Sequence, residues 1–116
     1  MQNENTTKVF EAIYTILNRL EKGLDYEDKD FDTEEQIGDE ALGIKQTRWR
    51  SYIEMLEEAG YISGVTMKNF TNGSSSIDVS SARITLQGLQ YLAENTMMTQ
   101  IFNARRNIES FILARK

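Results

Sequence analysis

The sequence predicts an α+β, mostly helical fold, namely a winged helix-turn-helix with a β-wing of two or three strands and an extra C-terminal helix. A short apolar turn, Leu42-Gly43-Ile44, precedes apolar residues at helical spacing, which is typical of the turn and recognition helix of a helix-turn-helix. Farther along, an Asn72-Gly73 hairpin signal separates two strand-like segments. The 116 residues have the size of one domain, so we expect a single winged-helix domain over residues 1–116.

The first 31 residues predict one helix and one extended segment. Apolar residues recur every three or four positions from Val9 to Leu24, which is the period of an amphipathic helix. The polar residues 5–7 are expected to cap its start and Gly23 its end. Residues 24–31 are acidic with spaced apolar side chains, as in a short strand or an extended connection, and this is where a winged helix places its first strand.

Two further helices complete the predicted helix-turn-helix. Thr33 and Gln36 have capping-box spacing, so a short second helix is expected from Thr33 to Leu42. The recognition helix is expected from Lys45 to Ala59, with Gly60 as its C-cap. Its apolar residues at helical spacing are expected to face the core: Trp49, Tyr52, Ile53 and Leu56. Because Trp49 is central in this set, we interpret it as a core residue rather than as a stacking platform for a base.

The wing follows directly. A first strand is expected from Tyr61 to Met67 and a second that ends at residues 83–84, while the small polar residues 71–76 form the tip. Thr85 is then expected to cap a helix that ends at Asn95, in which Gly88 permits close packing.

A last helix is expected over residues 97–114. Its apolar positions alternate by four and three residues, which is the heptad pattern of a helix that pairs. We expect either a homodimer through this helix or a strap that packs on the first helix, and we favour the homodimer. The apolar positions are Met97, Ile101, Ala104, Ile108 and Phe111.

The composition argues against catalysis. The chain contains no cysteine and no histidine, which removes the usual metal ligands and the commonest general base. We therefore expect no enzyme, no cofactor and no metal site. Asp28, Asp30, Asp32 and Asp39 have the spacing of calcium-loop ligands, but Thr33 replaces the glycine of the sharp turn and Asp39 is shorter than the bidentate glutamate. We interpret them as a solvated acidic surface.

The sequence also suggests where the protein resides. It shows no charged-then-apolar leader and no run of about 20 apolar residues, so we expect a cytoplasmic protein that does not bind a membrane. The net charge is −5. Residues 1–40 hold four basic and twelve acidic side chains, whereas residues 41–116 hold nine and six. The expected recognition helix and wing therefore belong to the mildly basic part, and DNA affinity should be modest.

Candidate DNA contacts lie on the exposed face of the recognition helix and on the wing. Arginine can bind guanine edges from a helix in the major groove, glutamine can read adenine, and hydroxyl and lysine side chains bind phosphates. Two alternatives remain open: the arginines only solvate the helix and Arg50 pairs with Glu54, or the acidic segment binds a basic protein partner. The candidate DNA-binding residues are Gln46, Thr47, Arg48, Arg50, Ser51, Lys68 and Arg83.

Two motifs at a fixed separation carry a family resemblance. They are Leu56-Glu57-Glu58-Ala59-Gly60-Tyr61-Ile62-Ser63-Gly64-Val65 and Ile84-Thr85-Leu86-Gln87-Gly88-Leu89-Gln90-Tyr91-Leu92. Over roughly residues 8–115 the chain resembles the YjcQ family, small winged-helix proteins of Gram-positive bacteria and their phages and prophages. The resemblance implies a winged-helix domain with a DNA-related role, such as a phage or prophage transcriptional regulator, and it carries over no catalytic or ligand residues.

Overall fold

The chain adopts the α+β, winged-helix-like fold that the sequence predicts. The structure, a computed structural model, describes residues 4–95. A 3₁₀ turn follows the first helix at Asp28–Asp30. The helices are α1 (Glu4–Gly23), α2 (Thr33–Ile37), α3 (Asp39–Leu42), α4 (Gln46–Glu58) and α5 (Leu86–Glu94), and the strands are β1 (Ile62–Ser63), β2 (Thr66–Asn69), β3 (Ser75–Asp78) and β4 (Arg83–Ile84). The expected C-terminal helix over residues 97–114 lies outside the described residues.

Two details around α1 differ from the sequence prediction. The helix already includes Asn5, Thr6 and Thr7, so the expectation that these residues cap its start is wrong, whereas its end at Gly23 is confirmed. The segment 24–31 forms turns and the 3₁₀ turn instead of a strand, because its amides bond to carbonyls three residues earlier and no neighbouring strand pairs with it.

The second predicted helix is divided at Gly38. A Cβ at this glycine would lie 2.5 Å from the Glu34 carbonyl oxygen, and the extended backbone of Gly38 separates α2 from α3. The N-cap is Asp32 and not Thr33, since the Asp32 carboxylate accepts a hydrogen bond of 3.1 Å from the Glu35 amide. Thr33 is instead buried in the first turn of α2.

The predicted recognition helix is confirmed to within one residue at each end. Gly43 has φ +66° between α3 and α4. The C-cap of α4 is Ala59 and not Gly60, which follows it with φ +81°. The predicted core face is buried: Trp49, Tyr52, Ile53 and Leu56. Trp49 is 5% exposed, and its indole Nε1 donates a 2.8 Å hydrogen bond to the Ile37 carbonyl, which joins α4 to the end of α2. The interpretation of Trp49 as a core residue is therefore confirmed.

The wing consists of two short antiparallel ladders rather than two continuous strands. Strand β1 pairs with β4 at the root, and β2 pairs with β3 in the outer hairpin. Gly64 has φ +82° between β1 and β2, and a Cβ there would lie 2.1 Å from the Ser81 carbonyl oxygen. On the other strand, a turn closed by a 3.0 Å bond from the Ala82 amide to the Val79 carbonyl separates β3 from β4.

The tip is shorter than the predicted segment 71–76, because β3 already begins at Ser75. The predictions for the turn signal and for α5 are confirmed. The Asn72-Gly73 signal lies at the hairpin tip, where Gly73 has φ +85°. The Thr85 hydroxyl caps α5 by accepting a 3.1 Å bond from the Gly88 amide. Gly88 permits close packing, because a Cβ there would lie 2.3 Å from the Tyr61 carbonyl oxygen. Asn95 is the C-cap.

One core joins the helices to the root of the wing. It combines the inner face of α1, the end of α2, the inner face of α4, the two wing-root strands and the turn between β3 and β4: Ile16, Leu17, Leu20, Ile37, Trp49, Ile53, Leu56, Ile62, Val79, Ala82 and Ile84. The outer hairpin contributes only the partly buried Ile77 to its edge. Among residues 4–95, no helix is both long enough and apolar enough to cross a membrane.

Candidate nucleic-acid interface

The outer face of α4 begins with an exposed polar surface. Gln46, Thr47, Arg48 and Ser51 are all exposed, because the opposite face of the helix packs on the core. The first turn of α4 contains no acidic side chain. In a helix-turn-helix the N-terminal residues of this helix contact base edges, and the positive end of the helix dipole favours phosphate. These four residues therefore lie where a duplex would be read.

Arg48 is exposed and is held by its own helix. Its Nε donates to the hydroxyl of Tyr52, one turn later, and its Cζ lies 5.7 Å from the centroid of the Tyr52 ring. A cation over a tyrosine face is attracted by the ring electrons. The guanidinium thus has a fixed direction while its remaining N–H groups stay available to a ligand.

Arg50 has a different environment, because it connects α4 to the wing. Its Nη1 donates to the Ser75 carbonyl at 3.2 Å, and its Nη2 donates to the Ser75 hydroxyl and lies 3.8 Å from the Met67 sulfur. Its Nε lies 3.3 Å from the Glu54 carboxylate, the ion pair that the sequence suggests. The side chain is only 32% exposed. In this arrangement Arg50 positions the outer hairpin and is not directed towards a ligand.

The two faces of the outer hairpin have different neighbours. Cross-strand pairs alternate between faces, so the pairs Met67–Ile77 and Asn69–Ser75 share one face and the pairs Lys68–Ser76 and Thr66–Asp78 share the other. Arg50 contacts the first of these faces, which therefore faces α4. Lys68 is exposed on the second face, directed away from the recognition helix.

Asp78 shares the face of Lys68 and closes the turn that follows β3. Its carboxylate accepts a 2.9 Å hydrogen bond from the Ser80 amide. Hydrogen bonds from the Ser80 side chain and amide hold the pKa of Asp78 below its usual value, and the nearby Lys68 charge adds to this effect. Asp78 is thus ionised at neutral pH and partly offsets the positive charge of Lys68.

Arg83 is engaged by the acidic segment. It lies on β4, and its Nη2 pairs with the carboxylate of Asp28 from the 3₁₀ turn. Both side chains remain largely exposed, at 58% and 82%. The two residues are 55 positions apart in the sequence. The charge pattern had assigned Arg83 to DNA binding and, as an alternative, the acidic segment to a basic protein partner.

The seven candidate residues therefore do not form one continuous basic face. The structure brings Gln46, Thr47, Arg48 and Ser51 together on α4, whereas Arg50 faces the wing. Lys68 and Arg83 belong to two other surfaces. Sequence reasoning had no signal for the Ser75 acceptor or for the Asp28 partner, because both contacts depend on how the wing packs against distant segments.

Acidic side chains are exposed at the C-terminal end of α4 and on the two short helices that precede it. Glu57 and Glu58 are exposed near its C-terminal end, while the Glu54 charge is paired with Arg50. The preceding short helices also present exposed carboxylates: Glu34 and Glu35 on α2, and Glu40 on α3. Since the first helix of a helix-turn-helix crosses the DNA backbone, these charges oppose tight docking on a duplex.

The aspartates with calcium-loop spacing have structural positions of their own. Asp32 caps α2, Asp39 begins α3, and Asp28 pairs with Arg83. Within residues 4–95, no group of three or more acidic side chains is arranged to hold a metal ion.

The fold and the position of α4 define a winged-helix-like protein of the helix-turn-helix class. A family model described as YjcQ protein matches residues 14–111. The chain belongs to the YjcQ family, as its two motifs predict. No curated protein and no solved structure matches the chain.

Proposed function

We propose that this chain is a non-catalytic DNA-binding protein that contacts duplex DNA through the N-terminal half of α4. The single observation that carries the proposal is the exposed, acid-free surface of Gln46, Thr47, Arg48 and Ser51 at the positive end of the helix. The family resemblance supplies the finer part of the proposal, a transcriptional regulator associated with a phage or prophage. Such a protein acts by occupying its site, in keeping with a sequence that lacks histidine and cysteine.

In this proposal the two arginines of α4 have different roles. Arg48 contacts DNA, because its guanidinium is exposed and oriented by Tyr52. Arg50 contributes indirectly, by keeping the outer hairpin against α4 through Ser75. With few cations on the contacting face, affinity is modest and falls steeply as the salt concentration rises.

The test is fluorescence anisotropy of a labelled random-sequence duplex, titrated with the full chain at several salt concentrations. We expect the logarithm of the binding constant to fall linearly with the logarithm of the salt concentration. The slope should become shallower by about 0.9 in Arg48→Gln, the amount that one phosphate contact contributes. If Arg48 instead binds a base, the slope is retained and affinity for a selected site falls by about 1–3 kcal/mol.

Lys29→Gln is the matched control for the loss of one positive charge. Lys29 is exposed in the acidic segment and pairs with Glu27 at 3.5 Å, away from α4. We expect this variant to bind DNA as the unaltered chain does. Equal weakening in both variants would mean that only net charge matters, and absence of binding at low salt would refute the proposal.

The alternative function is a protein-interaction module that uses the acidic surface. The observation that favours it is the exposed carboxylate group on α2 and α3, which a basic protein would complement and a duplex would repel. Under this alternative, Glu34→Gln with Glu35→Gln would weaken capture of the basic partner. The same pair would strengthen DNA binding if the first proposal holds.

A further inference from the structure

A cleft of about 230 Å³ lies beside β4. It is enclosed by the C-terminal end of α1, the acidic segment that leads into α2, and the turn between β3 and β4. The lining residues that carry the argument are Leu20, Asp28, Phe31, Thr33, Arg83 and Ile84.

Part of the cleft lining is apolar. Leu20 and Ile84 are core residues, 4% and 8% exposed, and Phe31 is half-buried beside them. Thr33, at 7% exposed, is the buried polar side chain among the described residues, and it also lines the cleft. An apolar group of a ligand could pack against Leu20, Phe31 and Ile84.

The rim of the cleft carries two opposite charges. The Arg83 guanidinium and the Asp28 carboxylate pair directly across it, and both are largely exposed. Exposed ion pairs contribute about 0–1 kcal/mol to stability, so a ligand that supplies its own two charges displaces this pair at little cost. The surrounding segment is acidic, which disfavours a ligand that carries only a negative charge.

We propose that this cleft binds a small zwitterion, an α-amino acid with an apolar side chain. Its carboxylate binds the Arg83 guanidinium, and its ammonium group binds the Asp28 carboxylate. Its side chain enters the cleft against Leu20, Phe31 and Ile84. The volume is below the roughly 300–1,000 Å³ of sites for drug-sized ligands, which fits a molecule as small as an amino acid.

The test is a titration of the isotopically labelled full chain, followed by amide NMR shifts, in the absence of DNA. The probes are L-leucine, L-isoleucine, L-methionine and L-phenylalanine, each up to about 10 mM, tenfold above a dissociation constant of about 1 mM. We expect at least one to shift the amides of Ser81 and Arg83. Two analogues of leucine with a single charge, 4-methylpentanoate and 3-methylbutylamine, should bind at least tenfold more weakly.

Charge-neutralising variants distinguish binding in the cleft from a general effect of the net charge of the protein. Arg83→Gln and Asp28→Asn should each weaken binding at least tenfold. Lys8→Gln and Asp25→Asn remove the same charges from exposed positions outside the cleft and should bind as the unaltered chain does. Because these positions are exposed, all four variants are expected to fold, which the spectra themselves report.

Three outcomes would overturn the proposal. None of the four amino acids shifts the cleft amides, a single-charge analogue binds as well as leucine, or binding persists unchanged in both Arg83→Gln and Asp28→Asn. Each outcome is independent of DNA binding, so failure here leaves the proposed contact of α4 with DNA untouched.

Discussion

Replacing Arg50 by methionine should release the outer hairpin from α4 while leaving the core intact. The substitution keeps an unbranched apolar stem but removes every hydrogen bond to Ser75 and the ion pair with Glu54. The hairpin has little else to hold it, since its own contribution to the edge of the core is Ile77. The effect is therefore expected to be local rather than global.

The magnitude follows from the contacts. Hydrogen bonds to a charged group contribute about 1.5–3 kcal/mol, and an exposed i,i+4 ion pair contributes about 0.3–0.5 kcal/mol. The ion pair with Glu54 lies within α4 and does not hold the hairpin. Because the Arg50 side chain is 32% exposed, we take the low end of the hydrogen-bond range, about 1.5 kcal/mol in total, for the docking of the hairpin on α4. This free energy corresponds to about a tenfold increase in the population of the undocked, open hairpin.

Native-state hydrogen exchange measures this population directly, because exchange rates scale with the opening equilibrium. The amides of β2 and β3 should exchange about tenfold faster in Arg50→Met, while those of α1 are unchanged. Arg48→Met is the control, since it alters the same helix without touching the wing. Unchanged hairpin exchange in Arg50→Met, or an equal increase in α1, would refute the conclusion that Arg50 anchors the wing.

Three further substitutions test other features of the structure. Gly88→Ala should lower the free energy of unfolding by about 1–3 kcal/mol in urea denaturation, because its Cβ would meet the Tyr61 carbonyl at 2.3 Å; a neutral result would contradict the close packing of α5. Asp78→Asn should reduce the loss of stability between pH 7 and pH 3. Ser80 lowers the folded-state pKa of Asp78, so its stabilisation is present above the unfolded value of 3.8 and is lost as the pH falls through the folded value; an unchanged pH dependence would contradict this. Tyr91→Phe should raise the melting temperature, because the buried Tyr91 hydroxyl has no hydrogen-bond partner in the described structure; a lower melting temperature would indicate that the hydroxyl is satisfied.

Local signals were enough to predict most of the helices and turns. The recognition helix follows from residues at helical spacing that bury one face, and its end follows from a glycine that can adopt positive φ. Thr85 caps α5 through its own side chain, a contact between residues only three positions apart in the sequence. The prediction of the second helix failed in two details. Asp32 replaced Thr33 as the cap of α2, and Gly38 divided the second helix.

The candidate site was less predictable than the fold. Periodicity correctly separated the exposed residues of α4 from its buried face, so Gln46, Thr47 and Arg48 were placed where the structure has them. Periodicity could not assign Arg50 to the exposed or to the buried face of α4, because the direction of its side chain depends on hydrogen bonds to Ser75 of the wing. Nor could it show that the two charged groups of Arg83 and Asp28 meet, because a charge pattern along the chain carries no distance in space.

The sequence by itself determined that the chain forms an α+β winged-helix-like domain with a polar face on the recognition helix. It could do so because helix periodicity, caps and positive-φ turns depend on residues close together in the chain. Only the tertiary structure decided which cations face outward, because that depends on contacts across 25 residues for Arg50 and 55 residues for Arg83. Such contacts follow from packing of the wing and the acidic segment on one core, and no local pattern encodes them.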